Sequence, residues 1–67
     1  MMQVEINGKS RVFVAGGSIL ALLMELEIDP RLVVVERNRE IVRRDDLDRV
    51  EVEDGDRFEI VQFVGGG

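Results

Sequence analysis

Sixty-seven residues with a formal charge of -5 and neither cysteine nor histidine describe one small acidic domain near the lower limit for a self-supporting core, where net stability seldom exceeds about 3–5 kcal/mol. The missing cysteine excludes disulfides and thiolate metal sites, and the missing histidine leaves Ser10 and Ser18, the only serines, without an imidazole to activate them. The expectation is a protein that is not itself an enzyme and binds no metal. Negative charge argues against a nucleic-acid backbone as partner. No apolar run approaches the length of about 18 residues that a membrane span needs, and the N-terminus has no signal-peptide layout, so the expected setting is the cytoplasm.

Met2 to Ile6 alternates apolar and polar residues, with Met2, Val4 and Ile6 on one face. Asn7-Gly8 follows, the strongest short hairpin signal, because a type I′ turn needs positive φ at both central residues. Arg11 to Val14 reads as the return strand, with Val12 and Val14 expected inward. Gly16-Gly17 breaks it, and Ser18 has the chemistry of a helix N-cap. Ile19, Leu20, Leu22, Leu23 and Leu26 then recur at helical spacing, with Glu25 and Glu27 on the wetter side. This predicts about three turns of helix, ended by Pro30, with the leucine stripe as core.

Leu32 to Glu36 is a β-branched run that predicts a third strand. Asn38-Arg39 makes a tight turn, where Arg39 is less comfortable than glycine, and Glu40-Ile41-Val42 a short fourth strand. From Arg43 to Glu53 charge dominates, with Leu47, Val50 and Val52 as anchors, which predicts a turn of 3₁₀ helix and a surface connection. Asp54-Gly55-Asp56 turns into the last strand, where Phe58 and Ile60 alternate with Glu59 and Val61. The order predicts an α+β fold: a mixed sheet of four to five strands, one helix across one face, and the last strand entering parallel to the first. That is a β-grasp arrangement. Nothing marks a second domain, so residues 1–64 are read as one unit and residues 65–67 as a flexible tail.

Chemistry has few places to reside. Gly16-Gly17-Ser18 lacks the spacing and lysine of a phosphate loop, and a hairpin-to-helix bend explains it. The run Asp45, Asp46, Asp48, Glu51, Glu53, Asp54 and Asp56 does not follow EF-hand ligand spacing; a solvated face, or one that meets a basic partner, accounts for it. The end of the chain stands apart. Phe63-Val64 runs directly into Gly65-Gly66-Gly67, and glycines bring no side chain to pack and lose the most backbone freedom on ordering. Such a tail suits entry into a narrow channel, with the α-carboxylate of Gly67 as the working group and Gly65 and Gly66 as the thread. Three extended residues reach only about 10–11 Å, so the body must dock close to the partner's active site. If Phe58 and Ile60 face the helix, Val61 and Phe63 face away from it. With Val34 and Val64 they would form an exposed apolar docking patch beside the tail.

The length, Asn7-Gly8, the leucine-rich helix, Gly55-Asp56 and above all Glu59-Ile60-Val61 followed by Phe63-Val64-Gly65-Gly66-Gly67 resemble the ThiS family, sulfur carriers of thiamin thiazole biosynthesis. The resemblance covers essentially the whole chain. Arg39, where the family often has glycine, and Arg43, where it often has proline, depart from the pattern. The resemblance implies that a ThiF-type enzyme adenylates the Gly67 carboxylate with ATP, and that a donor fed by a cysteine desulfurase replaces AMP with sulfur. It implies that thiazole synthase takes that sulfur from the resulting thiocarboxylate. ATP and metal would then belong to the adenylating partner, with no cofactor bound here. Alternatives sharing the terminus are the small subunit of molybdopterin synthase and a ubiquitin-like protein modifier; a non-covalent β-grasp binding module would not need the glycines at all.

Overall fold

A computed structural model describes residues 2–63. Strands β1 (Met2–Ile6), β2 (Lys9–Phe13), β3 (Val33–Arg37), β4 (Glu40–Val42) and β5 (Arg57–Gln62), with helix α1 (Ile19–Glu25), follow one another as β1-β2-α1-β3-β4-β5. In space the sheet runs β2-β1-β5-β3-β4, so the last strand lies at the centre. It is parallel to β1 and antiparallel to β3, while the two hairpins are antiparallel. This is the expected β-grasp sheet, with five strands.

Two type I′-like turns set the hairpins. Asn7 and Gly8 have φ of 50° and 83°, and Asn38 and Arg39 have φ of 50° and 72°. The first places Ile6 opposite Lys9 and Met2 opposite Phe13. Opposed residues share a face, so Phe13, not Val12 or Val14, turns inward. Phe13 is fully buried, whereas Val12 and Val14 are exposed, which reverses the expected facing of the return strand. The two-residue turn decides parity here, and the local apolar pattern yields to it.

All four leading N–H groups of α1 find acceptors. Ile19 donates to the Val50 carbonyl at 2.9 Å, Leu20 to Leu47 at 2.8 Å and Leu22 to Ser18 at 3.1 Å, while Ala21 donates to the Ser18 hydroxyl at 3.1 Å. The charged connection therefore also caps the helix, its 3₁₀ turn at Arg44–Asp46 as expected. At the other end α1 is shorter than predicted. It stops at Glu25, and Glu27 adopts φ of 59°. The Glu27 N–H donates to Met24 and the Ile28 N–H to Leu23, the paired bonds of a Schellman ending. Pro30 does not end this helix; it opens a separate 3₁₀ turn, Pro30–Leu32, which delays β3 by one residue relative to the expected Leu32–Glu36.

Ile19, Leu22 and Leu23 pack from the helix onto Val4, Ile6, Phe13, Val35 and Phe58 of the sheet, and Leu47 and Val52 close the ends. Burying each such side chain contributes about 1.5–3 kcal/mol. Among the described residues the opposite face of the sheet carries no helix, and β5, at the centre of the sheet, ends at Gln62.

Candidate functional site

The site is built on β5, because that strand delivers the chain end. Its first residues are fixed by a polar cluster. The Asp56 carboxylate, 6% exposed, accepts from Arg37 Nε at 2.9 Å, the Glu53 N–H at 2.8 Å and Asn38 Nδ2 at 3.1 Å. Burial pushes the Asp56 carboxyl up, but the Glu53 N–H, then Arg37 and Asn38, outweigh it and hold it below its ordinary value. Asn38 in turn accepts the Arg57 N–H on its side-chain oxygen at 3.0 Å and donates its own N–H to the Arg57 carbonyl at 2.8 Å. The β3-β4 turn thus clamps the start of β5.

Further along, β5 alternates its faces. Phe58 is buried and Ile60 half-buried under the helix, as the alternation predicts. Val61 lies opposite Val34 on the open face, and Val61 and Phe63 are 58% and 53% exposed. Val34 is half-buried between its neighbours. Phe63 is tied to the body, its N–H donating to the Leu32 carbonyl at 2.8 Å. Val64, Gly65, Gly66 and Gly67 lie outside the described residues.

One member of the patch was missed from sequence. Ile41 stands opposite Glu36 in the β3-β4 register, which puts it on the open face, where it is 69% exposed. With Val34, Arg43 and Phe63 it lines one shallow depression. Its signal was the alternation with Val42, too short at three residues to be read as a face. Beside the apolar group, Glu36 and Glu59 face each other directly across β3 and β5, a like-charge pairing that weakens the sheet. Among the described residues no group of three or more acidic side chains is placed to hold a metal ion, and no helix is long and apolar enough to cross a membrane.

Among the described residues the arrangement is a five-stranded sheet with an exposed apolar patch of Val61, Phe63 and Ile41 on its open face.

Comparison with known proteins bears on the same features. The model described as "ThiS family" matches residues 4–67. The chain is 52% identical over 66 residues to a thiazole synthase of Paramagnetospirillum magneticum, a match that covers 98% of this chain and 20% of that protein. It thus spans about a fifth of that relative's length. It is 40% identical over 65 residues to the sulfur carrier protein ThiS of Bacillus subtilis, covering 96% of this chain and 98% of the other. The crystal structure of the thiamine biosynthesis protein ThiS from Geobacter metallireducens superposes with a TM-score of 0.84 at 33% identity, covering 98% of this chain and all of that one.

Proposed function

The chain belongs to the ThiS family, and from that premise we propose that it carries sulfur on the carboxyl of Gly67 for formation of the thiazole ring of thiamin. Residues 1–64 act as the handle and residues 65–67 as the thread. A carboxylate is a poor electrophile because oxide is a poor leaving group. An adenylating partner of the ThiF type overcomes this: a carboxylate oxygen attacks the α-phosphorus of ATP, pyrophosphate leaves, and the acyl carbon becomes bound to AMP. The terminal sulfur of a persulfide donor fed by a cysteine desulfurase attacks the acyl carbon and AMP leaves. A second thiol then reduces the resulting acyl disulfide, leaving a disulfide on the donor and releasing the thiocarboxylate. Thiazole synthase consumes it. ATP and any metal that activation needs are held by the partner. Because activation consumes ATP, the carrier works in the cytoplasm.

The observation that carries this reading is the position of the patch. From Phe63 the proposed thread runs through four residues, Val64 to Gly67, a reach of about 13–14 Å when extended. A terminus on so short a tether enters a recessed site only if the body docks at its rim, and the exposure of Val61, opposite Val34, and of Phe63 supports docking through this face. The thiazole synthase relative supports the consuming step, since there a segment like this chain is part of the same polypeptide as the synthase. Joining the two raises their effective concentration.

The test is intact mass after incubation with ATP, the adenylating partner and a sulfur source. A gain equal to the exchange of one oxygen for sulfur, mapped to Gly67, is expected. A gain elsewhere, or none, overturns the proposal.

A further inference from the structure

Backbone groups on β5 alternate sides. Phe63 donates its N–H toward β3, to the Leu32 carbonyl, and Arg57 accepts from the Asn38 N–H on that same side. The even-numbered residues point the other way, toward β1: the Phe58 carbonyl accepts the Asn7 N–H at 2.9 Å. At Asn7 the chain turns away into β2, and β1 has nothing left to offer. The side-chain amide of Asn7 fills the next position. Its Oδ1 accepts the Ile60 N–H at 2.8 Å and its Nδ2 donates to the Ile60 carbonyl at 3.1 Å. One amide group thus does for Ile60 what a neighbouring strand would.

Gln62 is the next residue in that series. It sits opposite Val33 at a position where its N–H and carbonyl point away from β3, and among the described residues no hydrogen bond is made to either. The other open edges are protected: β2 carries Lys9 and Arg11, and β4 is three residues long. Gln62 is itself uncharged and is the last residue of β5, one residue before the end of the described chain.

We propose that the N–H and carbonyl of Gln62 are a docking edge for an extended backbone segment of the adenylating partner, which continues the ladder where Asn7 stops and so aims Val64–Gly67 into the active site. The inference rests on the function proposed above. A tail of glycines offers a partner little beyond backbone groups, and strand addition is the recognition mode that reads them.

Two measurements test it on the full chain with its adenylating enzyme and ATP. Amide hydrogen exchange at Gln62 is expected to be fast in the free carrier and protected in the complex. Gln62→Pro removes an N–H that the fold does not use, and is expected to raise the KM for the carrier about tenfold. Gln62→Ala, which keeps both backbone groups, is expected to have a KM at least about fivefold below that of Gln62→Pro. Equal adenylation of Gln62→Pro and the parent overturns the proposal, as does equal loss in both variants or unprotected exchange in the complex. Should Gln62→Pro not fold, exchange in the parent chain decides alone. A parent chain that is never adenylated brings down the functional reading and this inference together.

Discussion

Arg37 and Asp56 meet through Nε and Oδ2 at 2.9 Å, joining the end of β3 to the residue just before β5. The carboxylate is buried and takes three hydrogen bonds, so removing it deprives Arg37 Nε, Asn38 Nδ2 and the Glu53 N–H of their acceptor at once. Asp56→Ala is expected to cost about 2–4 kcal/mol, most of what a domain this small has. Thermal melts check this; the midpoint should fall by on the order of 10–20 °C.

The same carboxylate sets an acid limit. Its native pKa lies below the ordinary value of 3.8, so its contribution is fully present above that value and is lost as pH falls through the native one. Asp29, lowered to about 2 by the Arg31 side chain and then by the Arg31 N–H, acts in the same direction from an exposed position. Urea melts should therefore show flat stability above pH of about 5 and a decline from about 4 toward 2. Asp56→Asn should flatten that limb.

Arg39 holds φ of 72° in the β3-β4 turn, a conformation that costs an L-residue roughly 1–2 kcal/mol. Arg39→Gly relieves it at some cost in unfolded-state entropy. A net gain of about 0.5–1 kcal/mol is expected in denaturant melts, with adenylation unchanged.

Val61 and Phe63 are exposed, so truncating them removes little core. Val61→Ala and Phe63→Ala should each change stability by less than about 0.5–1 kcal/mol. Each should raise the KM for the carrier in the adenylation assay by about fivefold or more, since apolar residues at the centre of an interface carry most of its energy. A Phe63→Ala chain that unfolds instead would make Phe63 part of the core.

On the proposed function, Gly66→Leu adds a branched side chain to the thread, and deleting Gly67 leaves the Gly66 carboxylate about 3.5 Å short of the reacting position. Both changes should abolish thiocarboxylate formation by mass spectrometry while leaving the melting midpoint within about 2 °C of the parent.

Much of this was legible in sequence because it is local. Asn7-Gly8 dictated a turn whatever surrounded it, and both residues take the positive φ the turn needs. Ser18 capped a helix, and Phe58 and Ile60 turned inward on a strand long enough to show its period. The errors fell where a local pattern met a stronger constraint. Val12 and Val14 read as inward, but hairpin register gave that face to Phe13. Pro30 read as the helix stop, but Glu27 had already turned the chain at φ of 59°. Ile41 went unnoticed because a three-residue strand has no visible face until β3 supplies its partner.

By itself the sequence determined which chemistry to propose: the absence of cysteine and histidine and the run Gly65-Gly66-Gly67 direct the proposal to the Gly67 carboxyl. It also determined the element order, since turns, caps and apolar periods depend on near neighbours. Only the tertiary structure decided which apolar side chains stay outside, and that among the described residues the ladder on the β1 side of β5 stops at Ile60. Facing and ladder ends depend on residues far apart in the chain, such as Asn7 and Ile60, whose meeting no local pattern encodes.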